Sequence, residues 1–177
     1  MQQTTPNTRQ HSNGSTPAEA HPDTLAKVMT RSAFLHVQDA RAIGKLKLWI
    51  GRYRQGRGCE DQAAGYVDVD AARVIFQDLA LRGELPAKLY EDREIVFYGG
   101  GDRDGRLEAR LLKFADNPDM RAPLCVEVSR GPGRRNTSGG IQPAGDLQRV
   151  AIWLSRFEAR KLAAAVLAQL DRCQCQG

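Results

Sequence analysis

Histidine is scarce in this sequence, and the catalytic patterns built around it are missing. Only three histidines occur in 177 residues, and two of them, His11 and His21, lie in a polar N-terminal stretch. His36 has no evident carboxylate partner in the sequence. No H-E-x-x-H, G-x-S-x-G or G-x-x-x-x-G-K-[ST] pattern is present, which removes the zinc-protease, serine-hydrolase and P-loop readings. Cysteine is rare too, at positions 59, 125, 173 and 175. Cys125 sits in an apolar run and reads as a small buried hydrophobe. The Cys173-Gln-Cys175 pair has no second pair at zinc spacing, so neither a metal nor a disulfide framework is expected. No cofactor is implied. Apolar runs of membrane-spanning length are absent, as is an N-terminal apolar leader. The expectation is a cytoplasmic protein with no membrane partner.

Acidic residues are missing from two stretches. Six basic residues and no acids lie between Arg41 and Gly58, and three arginines and no acids between Arg130 and Gly145. The formal net charge is +5. A net charge of this sign favours an anionic partner without naming one, but clustered cations are the footprint of a nucleic-acid surface. The first stretch, "KLKLWIGRYRQGRG", adds a tryptophan and a tyrosine to two lysines and three arginines. In a strand, alternate side chains face opposite ways. Leu46, Leu48 and Ile50 then form a core face, and Lys45, Lys47, Trp49 and Tyr53 share the other. Flat rings between cations suit an unpaired polynucleotide, whose bases stack on the rings while the cations neutralise phosphates. Arg52 and Arg54 fall on the Leu46 side by strict alternation. They reach the same ligand only if the strand ends, twists or bulges near Gly51.

Composition divides the chain into a polar tail over residues 1–30, one domain over 31–172 and a short tail over 173–177. The first segment has too few large apolar groups to offset its ordering entropy and reads as disordered. "AFLHVQDA" reads as a short strand. In "GYVDVDAARVIFQDLALRG" a strand leads to a helix over 71–81, capped by Asp70, with Ala71, Val74, Ile75 and Leu79 as its apolar stripe and Gly83 as its stop. "EIVFYGGGDRDGRLEARLLKFAD" reads as a hairpin: a strand over 94–98, a turn over 99–105 carrying Asp104-Gly105, and a return over 106–115. "LCVEVSR" is another alternating strand. "GPGRRNTSGGIQPAG" holds too many breakers for regular structure and reads as a flexible loop. Finally, a strand over 149–154 runs into a helix. Ser155 and Glu158 form its S-x-x-E capping box, and Ala159, Leu162, Ala163, Val166 and Leu170 recur at helical spacing. The two strand–cap–helix units, "YVDVDAARVIFQDLA" and "AIWLSRFEARKLAAAVL", echo one another.

An alternative uses Asp68, Asp70 and Glu108 to hold Mg²⁺ in a nuclease, but Asp70 is accounted for as a helix cap and Asp68 as a strand's polar face. "GDRDG" lacks the distal glutamate of a calcium loop and reads as a turn. A second alternative is a protein-interaction or scaffold subunit of a nucleoprotein or mobile-element complex, with Trp49 and the alanine-rich helix as interface surface.

"KLKLWIGRYR", followed at a distance by "VAIWLSRFEARKLAAAVLAQL", resembles the single-stranded DNA-binding superfamily that contains the whirly, Pur and positive-cofactor-four proteins. The resemblance spans about residues 43–170. It implies antiparallel strands offering an open, concave face to nucleic acid, with a helix that packs behind them or dimerises. The strand-to-helix duplication is similar to the two-repeat arrangement of the Pur proteins. The expected fold is α+β: one twisted antiparallel sheet with two helices on one face, built as a duplicated strands-then-helix unit. The expected function is non-enzymatic binding of single-stranded DNA or RNA, DNA favoured, with little sequence preference; a homo-oligomer is compatible with it. Lys45, Lys47, Trp49, Arg52, Tyr53 and Arg54 form the contact strand. Arg106 and Arg110 extend it, and Arg130, Arg134 and Arg135 close over it.

Overall fold

Each cationic stretch belongs to a separate antiparallel sheet. A computed structural model describes residues 23–54, 56–86 and 94–174. His11, His21 and Cys175 fall outside the described residues. The strands and helices of the described chain are β1 (Thr24–Met29), β2 (Ala33–Ala40), β3 (Lys45–Arg54), β4 (Gly58–Asp68), α1 (Val69–Arg82), β5 (Glu94–Arg103), β6 (Arg106–Asp116), β7 (Leu124–Arg135), β8 (Ile141–Pro143), β9 (Gln148–Leu154) and α2 (Arg156–Gln174). The first sheet runs β1-β2-β3-β4. In the second, β5, β6 and β7 follow in order, and β7 pairs with β9 over Leu124–Arg130 and with β8 over Gly133–Arg135.

The α+β class and the strands-then-helix duplication are therefore as the sequence indicates: four antiparallel strands and a helix, then five antiparallel strands and a helix. The strands divide between two sheets rather than forming one. Leu35 and Leu48 of the first sheet, Val128 and Ile152 of the second, Phe76 of α1 and Val166 of α2 all enter one buried cluster. Each sheet thus buries one face against the same core and leaves the other to solvent. The sheets meet at Gly65 of β4, where a β-carbon would sit 2.8 Å from Leu112 Cβ and 3.2 Å from Val128 Cγ2.

Local reading was sound where caps and periodicity agreed. In α2 the Ser155 backbone N–H donates to Glu158 Oε2 at 2.8 Å, and the Glu158 N–H donates to Ser155 Oγ at 3.3 Å, which completes the capping box. Its five expected core positions are all buried. Helix α1 begins two residues earlier than expected, and Asp68, not Asp70, is the N-cap. The Asp68 carboxylate is drawn to Lys45 at 2.8 Å and makes no capping bond. The buried face lies one position along from the expected stripe: Ala72, Ile75, Phe76 and Leu79 are buried while Val74 is exposed. Gly83 ends the helix in the left-handed region, its N–H reaching the Leu79 carbonyl at 2.9 Å.

Three segments differ from expectation. Residues 24–29, assigned to the tail, form β1, because pairing with β2 satisfies their backbone and buries Ala26. The glycines at 99–101 continue β5, and only Asp104 and Gly105, both at positive φ, turn the hairpin. A β-carbon at Gly100 would lie 2.2 Å from the Glu108 carbonyl oxygen, so the strand needs glycine at that position. Likewise β7 continues through Gly131-Pro132-Gly133 to Arg135, where a loop was expected. There β-carbons would meet the Asp146 carbonyl oxygen at 2.5 Å and Ile141 Cγ2 at 2.7 Å. These glycines, read as breakers, instead permit close chain approach. Cys125 is buried as expected, and burial pushes its thiol up to about 11. Among the described residues, no helix is long and apolar enough to cross a membrane.

Candidate nucleic-acid interface

Strand β3 carries its alternation as the sequence requires. Leu46, Leu48 and Ile50 are fully buried, while Lys45, Lys47 and Trp49 face outward and are half-buried. Directly opposed residues in an antiparallel pair share a face. Trp49 therefore sits between His36 of β2 and Ala64 of β4, and Lys47 between Gln38 and Tyr66, both uncharged. Lys45 lies opposite Asp68, which partly neutralises it.

Trp49 and Tyr53 belong to a larger group of rings. Phe34 lies over Gly51, where a β-carbon would come within 2.1 Å of its ring. Trp49 stands edge-on to Phe34 (centroids 5.0 Å apart) and to His36 (5.4 Å), and Tyr53 is 5.4 Å from Phe34. Edge-to-face rings at these distances stiffen one another. Burial pushes the Tyr53 hydroxyl up, which favours its neutral form. The register of β3 against β4 shifts between Arg52 and Tyr53. Strict alternation ends only after Arg52, which keeps its regular register opposite Ala33 and Asp61 on the Ile50 side; Arg54 lies beyond the irregularity, and both arginines are exposed. Arg54 approaches Glu60 at 3.4 Å.

In the second sheet, Arg110 lies directly opposite Arg130. They continue the face that carries Leu112 and Val128, at the level where the core gives way to polar groups. Like charges directly opposed across strands are destabilising. Glu108 accepts from Arg110 Nε at 2.5 Å and offsets one of them. Arg130 donates to Gln148 Oε1 at 3.1 and 3.2 Å, and Gln148 Nε2 donates to Asp61 Oδ1 of the first sheet at 3.2 Å.

The two cationic strands converge on one cleft of about 340 Å³, lined by Lys47, Trp49, Gln62, Glu108, Arg110 and Arg130. Of the three residues expected to close over the contact strand, only Arg130 reaches this cleft. Arg134 and Arg135 lie further along β7, opposite Gln142 and Ile141 of β8. Arg106 borders a separate hollow beside the β5–β6 turn, with Asp104 and Pro132. The carboxylates of the nuclease alternative do not converge: Asp68 holds Lys45, Asp70 lies in the first turn of α1 and Glu108 holds Arg110. Among the described residues, no group of three His, Cys, Asp or Glu side chains is placed to hold a metal.

Sequence reasoning missed Gln62, Tyr66, Asp61 and Gln148. Tyr66 was legible, since it alternates with buried Val67. The Asp61–Gln148 contact was not, because 87 residues separate its partners.

No family model and no curated protein matches the sequence. Solved structures do resemble the fold. The plant transcriptional regulator PBF-2 is 14% identical, with a TM-score of 0.50 over 80% of this chain and 77% of its own. WHY3 from Arabidopsis thaliana is 15% identical, with a TM-score of 0.51 over 81% and 84%. Both are plant Whirly proteins, so the structural neighbours come from the group that the sequence pattern resembles. At such identity the likeness is one of fold.

Proposed function

We propose that the chain binds single-stranded nucleic acid, DNA in preference to RNA, with little sequence preference and without chemical turnover. One observation carries this reading: Lys47 and Trp49 of the first sheet share a cleft with the opposed pair Arg110 and Arg130 of the second. Glu108 offsets only Arg110, and Arg130 is held by the uncharged Gln148, so the opposed pair keeps a positive charge that a phosphate meets with the forked geometry arginine favours. The ring beside them offers a stacking surface to any base. The Whirly-like fold agrees with the reading.

Self-association is part of the same proposal. Phe157 of α2 and Leu81 of α1 are about three-quarters exposed (75% and 74%), and Val74 is 47% exposed. Large apolar side chains on the solvent side of both helices suit contact between copies. The interaction-subunit alternative would use these residues alone. Anisotropy titration of a labelled single strand, its RNA equivalent and the matched duplex, with light scattering on the same samples, tests the whole reading. The single DNA strand should bind tightest, to a protein larger than one chain. Equal binding of duplex would count against the cleft, and a stable oligomer that ignores all three would favour the interaction subunit.

A further inference from the structure

A second opening adjoins the Trp49 cleft. It encloses about 280 Å³, with Tyr66 of β4, Phe97 of β5 and Leu112 of β6 among its walls and Lys45 and Arg110 beside them. Arg110 lines both openings. Lys45 and Lys47 project from the same face of β3, two residues apart, so cations border both openings, with Asp68 beside Lys45 and Glu108 beside Arg110.

The slot exists because β5 has no side chain at Gly99, which lines it. Gly100, next along, is required by the close Glu108 carbonyl. Gly99 is not required in that way. Its φ lies outside the left-handed region, and a β-carbon there would meet nothing nearer than the Arg110 carbonyl oxygen at 3.9 Å. At Gly101 a β-carbon would meet nothing within 4 Å. Glycine in a strand interior sacrifices packing and entropy, and one use of it is to let a ligand approach closely; of Gly99 and Gly101, only Gly99 lines an opening.

We propose that this slot takes one unpaired nucleobase out of the strand held in the Trp49 cleft, with its flanking phosphates on Lys45 and Arg110. This rests on the nucleic-acid reading above and deepens it. The volume lies near the lower end of small-molecule pockets, about 300 Å³ and upward, which suits one base rather than a run of them. Two aromatic walls and a leucine hold a base by stacking and burial, which any base satisfies. A paired base cannot enter without leaving its duplex, so the slot selects for single strands while reading little sequence.

Gly99→Val fills the slot from the strand that forms it, and Gly101→Val adds the same side chain to the same strand outside the slot. The probe is a single-stranded oligonucleotide of about 16 nucleotides. Gly99→Val should melt no lower than wild type and bind roughly tenfold more weakly, while Gly101→Val binds as wild type. A series of probes with one abasic position, tested on the wild-type protein, gives the same information without altering the fold. At least one position should cost about the same tenfold, and that cost should vanish in Gly99→Val. If Gly99→Val binds as tightly as wild type and no abasic position matters, the slot holds no base and the Trp49 cleft alone carries the binding. Failure of the wild-type protein to bind any single strand would overturn both proposals, with the cleft as the part at fault.

Discussion

Lys47→Ala combined with Trp49→Ala is expected to weaken single-strand binding by roughly two orders of magnitude. A stacked base contributes about 1–3 kcal/mol by alanine substitution, and one lost phosphate contact adds to it. Lys47 is the cleaner half of the pair, because its cross-strand neighbours Gln38 and Tyr66 are uncharged. Trp49 also braces Phe34 and His36 edge-on, so its truncation loosens the row of rings as well as removing a platform. Trp49→Phe separates the two effects. It keeps a ring for stacking and should restore most of the affinity lost in Trp49→Ala. Anisotropy titration at one fixed salt concentration checks both, and wild-type affinity in the double variant would place the ligand elsewhere.

Gly65→Ala is expected to destabilise the fold by about 1–3 kcal/mol, the usual range for an overpacked core. The added β-carbon meets Leu112 Cβ at 2.8 Å, and a β-carbon cannot rotate away. Relief comes only by shifting β4 from the second sheet. For a domain of this size each kcal/mol lowers the melting temperature by roughly 2–4 °C. The same shift opens the cleft, because Lys47 and Trp49 of β3 are tied to β4 while Arg110 and Arg130 belong to the second sheet. Binding should therefore fall even well below the melting temperature. A variant that melts and binds like wild type would mean that the sheets do not meet at Gly65.

What was readable in the sequence follows the range of the forces involved. Alternation in β3 and the capping box of α2 are set by neighbours within a few residues, and both are found where the pattern put them. The bounds of β2 coincide with the quoted stretch "AFLHVQDA". The glycine-rich strands misled for a physical reason. Gly100, Gly131 and Gly133 are glycines because another segment of the same chain passes too close for a β-carbon, and nothing local in the sequence reveals that segment. The division into two sheets was equally hidden, since alternation fixes a strand's faces but not its partners. For the interface, the contact strand was legible and its complement only in part. Arg110 and Arg130 were named, yet their direct opposition depends on the β6–β7 register. Arg134 and Arg135, grouped with Arg130 by proximity in sequence, sit four and five positions further along a continuous strand rather than in a closing loop.

Salt dependence tests the central claim most directly, because it counts phosphates. Each phosphate neutralised on a single strand contributes about 0.7 to the slope of log affinity against log salt concentration. Replacing Lys47, Arg110 and Arg130 together with alanine should reduce the magnitude of that slope by about 2, and weaken binding most at low salt. A wild-type slope near zero, or a triple variant with an unchanged slope, would contradict an ionic cleft between the two sheets.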